Sequence, residues 1–322
     1  MNHVRCSLTM ITDNDTRISS ALLTAYACVQ GRRTMAKLLS GKEVASHLNE
    51  DNKNRVRVLQ EKGIQPCLCI IRIGENPGDM AYERGALARC KKTGVSCRTV
   101  SFPADVSQEE LLTSIQALNE DASVHGVLLL RPLPRHMDEA KVVNSLRPEK
   151  DVDGMTDLSM SGLLSGRKNG FAPCTPEAAM AVLEYYGIDC TGKRAVVIGR
   201  SLVFGKPAAL MLTDRNATVT VCHTKTIDLP AVAREADLIM TAAGHAWTVR
   251  AECVREGQTV IDVGINEGPD HKLCGDAAFE EVEPIVAAIT PVPGGVGAVT
   301  TSILVRHTVE ACERQNRRSF MD

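Results

Sequence analysis

Residues 195–212 read "AVVIGRSLVFGKPAALML", and this stretch decides the fold. Its apolar first part ends at Gly199, as expected of a strand buried in a parallel sheet. Gly205 then begins a predicted helix over 205–213. A strand, a glycine-bearing turn and a helix in this order place backbone N–H groups and a helix N-terminus against a pyrophosphate. The stretch therefore predicts a dinucleotide-binding domain built on a doubly wound, Rossmann-like sheet.

The glycine spacing in this turn leaves two interpretations open. It runs Gly199-x-Ser201-x-x-x-Gly205 rather than G-x-G-x-x-G. By itself it is compatible with an ordinary strand-to-helix turn that binds nothing. Its position between a strong strand and a helix favours the nucleotide site, with all three residues as candidate contacts.

The end of the next predicted strand, "ATVTVCHTKT" at 217–226, indicates which dinucleotide binds. An NAD site usually carries an Asp or Glu there for the ribose hydroxyls, and this segment has none. Donors and positive charge that suit a 2′-phosphate come instead from Arg200, His223, Thr224 and Lys225. The sequence therefore predicts NADP, with NAD as the weaker choice. The alternative is that these are solvated loop residues, with His223 capping the strand end.

Helical and strand patterns also alternate before this domain. A helical pattern covers 43–62, and "PCLCIIRIG" at 66–74 has the continuous apolar character of a buried parallel strand. The next helix carries Tyr82. Ser107 and Glu110 have capping-box spacing and predict the start of a further helix. The alternation predicts an α/β layer with a parallel sheet.

A polar, glycine-containing stretch at 151–176 separates the two halves, so the sequence predicts two α/β domains. Their expected bounds are 35–156 and 157–295. Thr175 followed by Pro176 predicts the N-cap and the first residue of a helix at the start of the second half.

Composition limits the classes of function. The 322 residues are 44% hydrophobic and 3% aromatic, with a net charge of −2. These values fit two globular domains and give no reason to expect a nucleic acid partner. No apolar run reaches the roughly 18 residues that span a membrane. The 12 cysteines form no C-x-x-C pair, which favours reduced thiols in a cytoplasmic protein without a metal site.

Residues 1–34 fit neither domain. The segment "ALLTAYACV" at 21–29 is a short apolar run flanked by arginines, as in a targeting signal. Because the run is short and no small-residue cleavage site follows, we expect a disordered extension, or sequence upstream of a true start at Met35.

Taken together, the motifs resemble the methylenetetrahydrofolate dehydrogenase/cyclohydrolase family. The resemblance runs from about Met35 to Cys312 and implies two domains with a cleft between them, in a homodimer. It implies that the first domain holds the folate and is completed by a C-terminal helix at 296–322, while the second binds the dinucleotide. The segments that carry it are "LSGKEVA", "IGENPGDMAY", "RPLP", "PEKDVDG", "PCTP", "VVIGRSLVFGKPAALML", "ATVTVCHTKT", "VIDVGIN" and "TPVPGGVG".

The reactions implied by the resemblance are oxidation of 5,10-methylenetetrahydrofolate by NAD(P)⁺ and hydrolysis of the methenyl product to 10-formyltetrahydrofolate. It assigns Tyr82 and Asp153 to folate binding and catalysis, with Asp153 on the pterin's amino edge. Asp151 is expected to support the loop. The backbone that closes over the substrate is matched by Pro293, Gly294 and Gly295. The dinucleotide contacts are matched by Gly199, Arg200, Ser201, Thr224 and Ile265, with Gly205 at the start of the helix.

Two departures from the family pattern concern hydrolysis. Bifunctional members carry Tyr-x-x-x-Lys, whereas this chain has Tyr82 and Ala86, and Leu130 replaces a glutamine. Hydride transfer needs only positioning and electrostatics. Hydrolysis needs a base that takes a proton from water, worth roughly 10²–10⁴-fold, and alanine cannot supply it. We therefore expect a dehydrogenase whose cyclohydrolase activity is weak or lost.

Three alternatives stay open. The first is a bifunctional enzyme in which another group activates water. The second is an NADP-dependent dehydrogenase acting on an α-carbonyl acid, although no His or Lys acid–base is evident at the expected cleft. The third is a nucleotide-binding module without enzymatic activity.

Overall fold

The structure, a computed structural model, describes residues 35–167 and 169–316. The prediction of a disordered extension at 1–34 lies outside the described residues. None of the described helices is both long enough and apolar enough to cross a lipid bilayer. In the same part of the chain, no group of three or more His, Cys, Asp or Glu residues is placed to hold a metal ion.

Strands and helices alternate along the described chain, as the sequence predicts. The strands are β1 (Lys37–Leu38), β2 (Cys67–Ile73), β3 (Ser96–Phe102), β4 (Gly126–Leu129), β5 (Arg194–Ile198), β6 (Thr218–Cys222), β7 (Leu238–Thr241), β8 (Thr259–Asp262), β9 (Asn266–Glu267), β10 (Leu273–Cys274) and β11 (Ala288–Ile289). The α-helices are α1 (Gly41–Glu61), α2 (Pro77–Thr93), α3 (Gln108–Glu120), α4 (Glu139–Val143), α5 (Asp157–Ser165), α6 (Cys174–Tyr185), α7 (Gly205–Asp214), α8 (Leu229–Arg234), α9 (Phe279–Val282) and α10 (Thr300–Gln315).

Strand β2 is the centre of a three-stranded parallel sheet with the order β3-β2-β4. Cys67 and Cys69 face one apolar cluster, while Leu68 and Ile70 face another. This division of alternate residues shows that the two cysteines share one face of the strand. The cysteines of the described chain are free thiols, and most are buried. Because the strands are parallel, the residues that follow β2 and β4 emerge at the same edge of the sheet.

Helix α2 starts at that edge, after the turn that follows β2. Asn76 caps it, because its side-chain oxygen accepts the N–H groups of Gly78 at 2.8 Å and Asp79 at 3.3 Å. Gly94, in the left-handed conformation, ends the helix. The cap fixes the first turn of α2, and therefore Asp79, at the carboxyl edge of the first sheet.

Six parallel strands form the second sheet, in the order β1-β11-β8-β7-β5-β6. The chain passes from β5 through α7 to β6 on one side, and then through α8 to β7 on the other side of β5. Strand β5 therefore lies where the strand order reverses, which is where open α/β sheets bind ligands. Strands β9 and β10 form a separate antiparallel hairpin.

The predicted N-cap at Thr175 was wrong by two residues. Helix α6 begins at Cys174, and Pro173 occupies the N-cap position without a side-chain hydrogen bond. The thiol of Cys174 turns inward and donates to the carbonyl oxygen of Val152 at 3.2 Å. This tertiary contact draws Cys174 into the first turn, so the local Thr-Pro signal does not set the start of the helix.

Helix α10 is the element against which the first half of the chain packs. It contacts α1, α2 and α6 and lies against β2 and β4. Ile303 and Leu304 are fully buried on it. The resemblance implies packing of this kind for the C-terminal helix. The domain bounds 35–156 and 157–295 stay predictions.

We expect Leu304→Ala to lower the free energy of unfolding by about 2–5 kcal/mol, because truncation leaves a cavity in the packed centre. Urea denaturation followed by circular dichroism measures this change. The matched control is Val58→Ala on α1, where the side chain is 46% exposed and the change should stay within about 0.5 kcal/mol. Equal losses in the two variants would contradict the central place of α10.

Candidate active site

A cavity of about 270 Å³ lies where the carboxyl edge of the first sheet meets the glycine-bearing turn after β5. Helix α2, the end of β4 and the start of α6 line it on one side, and Val203 of the turn lines it on the other. The cavity thus joins the two regions to which the sequence assigns the two ligands. Its polar lining comes from Asp79, Tyr82, Arg131, Asp153, Cys174 and Thr175.

Tyr82 reaches the cavity wall from the second turn of α2. The side chain of Thr300, the first residue of α10, lies beside its hydroxyl. Burial raises the pKa of Tyr82 well above its usual range, and the negative charge of Asp153 adds to this effect. The phenol therefore stays neutral, and it can hold and orient a ligand but cannot act as a base near neutral pH.

Asp151 shapes the turn that carries Asp153. It is buried, and its carboxylate accepts hydrogen bonds from the N–H groups of Met155 at 3.0 Å and Thr156 at 2.8 Å and from the hydroxyl of Ser159 at 2.7 Å. These three bonds fold the chain back on itself beside β4, where Asp151 forms an isolated parallel bridge with Val127. The expectation that Asp151 supports the loop is confirmed.

Asp153 presents its carboxylate to the cavity. Burial, and secondarily the charge of Asp151, raise the pKa of Asp153 to about 6, while Cys174, Arg131 and His307 act in the opposite direction. The group is therefore ionised near neutral pH and becomes protonated in mildly acidic solution. An ionised carboxylate here can accept two parallel N–H donors from one planar edge of a ligand.

A histidine that the sequence analysis does not single out stands behind Asp153. His307 of α10 is buried, with Nδ1 2.8 Å from the carbonyl oxygen of Val152 and Nε2 2.8 Å from the carboxylate of Glu177. Both ring nitrogens therefore lie within hydrogen-bonding distance of an oxygen. Burial raises the pKa of Glu177, but His307 and Arg306 outweigh it and lower the pKa to about 2. These contacts fix the backbone that leads into Asp153.

The positions that depart from the family pattern lie in different surroundings. Ala86 is fully buried in the apolar core and does not line the cavity. Leu130 lines the cavity with an apolar side chain. The next residue, Arg131, brings a guanidinium to the wall and is paired with Glu139 at 3.1 Å. Neither Ala86 nor Leu130 presents a proton acceptor.

In the turn after β5, only glycine fits at two positions. Gly199 has a φ angle of 125°, which residues with a side chain rarely adopt. A Cβ atom on Gly205 would lie 2.1 Å from the carbonyl oxygen of Gly199. The hydroxyl of Ser201 accepts the N–H of Phe204 at 3.2 Å and closes the turn. A bare backbone at the start of a helix fits the pyrophosphate of a dinucleotide.

The other predicted dinucleotide contacts lie at the carboxyl edge of the second sheet. Arg200 and Ser201 follow β5, Thr224 follows β6, and Ile265 follows β8. Arg200, Ser201 and Thr224 are exposed, and Ile265 is 68% exposed. Because the strands are parallel, these residues share one edge and are accessible to a ligand there.

His223 holds the turn after β6. Its Nδ1 accepts the N–H of Lys225 at 3.1 Å, and its own N–H donates to the hydroxyl of Thr226 at 2.9 Å. The ring thus acts as a cap of the strand end, one of the two roles that the sequence left open. Lys225 remains exposed beside it.

Two buried carboxylates beneath this edge are a further feature that no motif indicates. Asp262 accepts the N–H groups of Gly264 at 2.9 Å and Asp276 at 3.1 Å, and Asp276 accepts the side-chain amide of Asn266 at 2.9 Å. Burial raises the pKa of Asp262 to about 7 despite these backbone hydrogen bonds. The pair fixes the chain after β8, where Ile265 lies.

Pro293, Gly294 and Gly295 are not part of the cavity lining. The carbonyl oxygen of Gly294 accepts the N–H of Gly41 at 2.9 Å, so this loop lies over the start of α1. It continues to Thr300, which lies beside the hydroxyl of Tyr82. The three residues flank the wall, and their contact with a substrate stays a prediction.

Two family models match the chain. The model described as "Tetrahydrofolate dehydrogenase/cyclohydrolase, catalytic domain" matches residues 39–153. The model described as "Tetrahydrofolate dehydrogenase/cyclohydrolase, NAD(P)-binding domain" matches residues 173–316. The first contains Tyr82 and Asp153, and the second contains the glycine-bearing turn.

Curated relatives are similar over most of the chain. The "Bifunctional protein FolD" of Carboxydothermus hydrogenoformans is 49% identical over 284 residues, which is 88% of this chain and 99% of the relative. The protein of the same name from Clostridium botulinum (strain Langeland) is 45% identical over 282 residues, which is 88% of this chain and 100% of the relative.

Solved structures have the same fold. The bifunctional enzyme FolD of Campylobacter jejuni has a TM-score of 0.85 at 41% identity and covers 87% of this chain and 99% of its own. The FolD enzyme of Trypanosoma brucei, complexed with NADP cofactor and an inhibitor, has a TM-score of 0.83 at 34% identity and covers 88% of this chain and 99% of its own.

We expect Gly205→Ala to weaken dinucleotide binding by about 5–150-fold, because relief of the clash with Gly199 displaces the turn and costs roughly 1–3 kcal/mol. Calorimetric titration with NADP⁺ measures the dissociation constant. The matched control is Gly85→Ala on α2, where the added Cβ meets its nearest neighbour at 3.9 Å. Unchanged binding by the Gly205 variant would show that the ligand does not use this turn.

Proposed function

Because the chain belongs to the tetrahydrofolate dehydrogenase/cyclohydrolase family, we propose that it oxidises 5,10-methylenetetrahydrofolate to 5,10-methenyltetrahydrofolate with NADP⁺. The expected family and the expected α/β fold are confirmed. One observation carries the proposal: the cavity is lined by Tyr82 and Asp153 on one side and by Val203 of the glycine-bearing turn on the other. A folate and a dinucleotide bound to these two sides would meet within it.

The oxidation requires alignment rather than proton transfer. A bound dinucleotide would supply the acceptor for the hydride of the methylene carbon, and loss of that hydride would leave the folate as a cation shared between two nitrogens. The carboxylate of Asp153 would accept two N–H groups from the amino edge of the pterin and set the plane of the ring. Tyr82 would support the ring from α2. The charge of Asp153 also gives the wall a negative potential that favours a cationic product.

Several features support NADP as the cofactor. Arg200, Thr224 and Lys225 are exposed at the edge where the ribose of the adenosine half would lie, and the chain there carries no acid. The Trypanosoma brucei relative, at 34% identity, is complexed with NADP. A 2′-phosphate would find positive charge at this edge, whereas the free ribose hydroxyls of NAD would find no carboxylate.

A second reaction, hydrolysis of the methenyl product to 10-formyltetrahydrofolate, is supported by the relatives. Those from Carboxydothermus hydrogenoformans and Clostridium botulinum are named bifunctional and are 49% and 45% identical over nearly their whole length. Against it stands Ala86, the observation behind the expectation of weak or lost hydrolysis. We propose both reactions, with water activated by a group other than a lysine at this position. A homodimer, as the family resemblance implies, completes the proposal, together with a cytoplasmic location, which the free cysteines favour.

A paired assay tests this function. We expect NADPH to form with methylenetetrahydrofolate and NADP⁺, with a higher kcat/KM than for NAD⁺, and methenyltetrahydrofolate to decay faster than its uncatalysed rate. NADPH formation without accelerated decay would support a dehydrogenase alone. Activity only with an α-hydroxy acid would support a different dehydrogenase, and nucleotide binding without turnover of any substrate would support a binding module.

We expect kcat/KM for methylenetetrahydrofolate to fall as the pH drops through about 6, because protonation of Asp153 removes an acceptor for the pterin's N–H groups. Asp153→Asn should lower kcat/KM about 10–100-fold, as for the loss of a charged hydrogen bond worth about 1.5–3 kcal/mol. It should also flatten the pH dependence. The exposed Glu149→Gln is the control and should keep the wild-type profile. An Asn variant that retains the inflection near pH 6 would assign the titration to another group.

A further inference from the structure

Asp79 is a carboxylate in the cavity wall to which the family resemblance gives no role. It lies in the first turn of α2, and its backbone N–H donates to the Asn76 cap at 3.3 Å. Its side chain takes no hydrogen bond and forms no ion pair with the residues that the structure describes. By contrast Glu83, one turn further along α2, is paired with Arg72 at 2.7 Å. The carboxylate of Asp79 is therefore left facing the cavity.

The helix geometry relates Asp79 to the position of the missing lysine. Asp79 and Ala86 are seven residues apart, and at about 100° per residue they lie within about 20° of the same face of α2. Tyr82 lies between them along the axis. Side chains on a helix lean toward its N-terminus, so an amine carried at position 86 would end near Tyr82. Asp79 approaches the same region from the N-terminal side.

The surroundings of Asp79 suit a base. Burial raises the pKa of this carboxyl above its usual value, and Arg72 only partly opposes that. Arg72 directs its donors elsewhere: to Glu83 at 2.7 Å, to the hydroxyl of Ser101 at 3.2 Å and to the carbonyl oxygen of Gly74. The guanidinium of Arg72 is thus close enough to act on Asp79 electrostatically, but it forms no ion pair with this carboxylate.

The other titratable groups of the cavity are unsuited to accept a proton from water. The pKa of Tyr82 and that of the Cys174 thiol are raised well above their usual values, first by burial, so both groups stay protonated. Arg131 does not deprotonate. Asp153 is ionised, but the proposed function places it on the amino edge of the pterin, away from the one-carbon bridge. Asp79 is the remaining carboxylate.

We propose that Asp79 is the general base for hydrolysis of the methenyl product, in place of the absent lysine. This inference rests on the proposed function. The oxygen of a water molecule bonds to the bridging carbon of the methenyl cation, and Asp79 takes a proton from that water, which leaves a neutral carbinolamine. The bond from carbon to N5 then breaks. The carbinolamine oxygen becomes the formyl carbonyl, its proton goes to N5, and Asp79 releases its own proton to solvent.

The test compares Asp79→Asn with the wild-type enzyme in two assays. Decay of methenyltetrahydrofolate without dinucleotide reports hydrolysis, and NADPH formation reports oxidation. We expect the enzymatic decay to fall about 10²–10⁴-fold in the variant, with a much smaller loss of NADPH formation. Glu75→Gln, at an exposed acid in the preceding turn, is the matched control and should resemble the wild type in both assays.

A second variant keeps the test independent of small structural effects. Asp79→Ala removes the carboxylate and leaves space in the wall, so added formate should restore part of the hydrolysis while leaving the wild-type rate unchanged. Restoration together with the loss in Asp79→Asn supports the inference.

Three results would overturn the inference. One is a hydrolysis rate of the Asp79→Asn variant that stays within about threefold of a measurable wild-type rate. Another is an absence of rescue by formate. The third is a wild-type enzyme that forms NADPH but does not hydrolyse, which would leave the dehydrogenase function standing. Wild-type protein that forms no NADPH from methylenetetrahydrofolate would instead refute the proposed function itself.

Discussion

A buried carboxylate, Asp151, determines where the candidate active site lies and how it is charged. Its three hydrogen bonds to Met155, Thr156 and Ser159 close the turn at 151–156, which lies between α4 and α5 and carries Asp153 into the cavity wall. The negative charge of Asp151 also raises the pKa of Asp153, and only burial raises it more. One residue therefore both positions Asp153 and raises its pKa, and Asp153 is the group on which the proposed folate recognition depends. Loss of Asp151 would alter geometry and charge together, and the two effects could not be separated by that substitution.

Helix α10 supports the site from behind at two points. Thr300, at its start, lies beside the hydroxyl of Tyr82, and the ring of His307, two turns later, lies 2.8 Å from the carbonyl oxygen of Val152 and 2.8 Å from the carboxylate of Glu177. The helix also packs against α2, α6 and strands β2 and β4. Helix α10 thus forms part of the core and also supports the surroundings of Tyr82 and Asp153, the two proposed folate contacts. On the opposite side of the cavity, the turn after β5 brings the dinucleotide region within reach of the same space.

Much of this arrangement could be predicted from local sequence, because its causes are local. The apolar run at 66–74 specifies a buried strand, the glycines at 199 and 205 specify a turn that no side chain could enter, and the motif around Asp153 specifies a polar turn. What local sequence could not show are partnerships between distant elements. His307 and Glu177 are separated by 130 residues, and Asp262 and Asp276 meet only when two loops converge. The start of α6 was misplaced for the same reason, since a contact with Val152 and not the Thr-Pro pair decides it.

The central claim is that the cavity aligns a one-carbon folate with a nicotinamide for direct hydride transfer. The most direct measurement uses methylenetetrahydrofolate with deuterium on the bridging carbon and follows the reduced dinucleotide by mass spectrometry. The account predicts that deuterium appears in the NADPH and that the deuterated substrate reacts more slowly in single-turnover experiments. Reduced dinucleotide without deuterium, or no reduction at all, would contradict it.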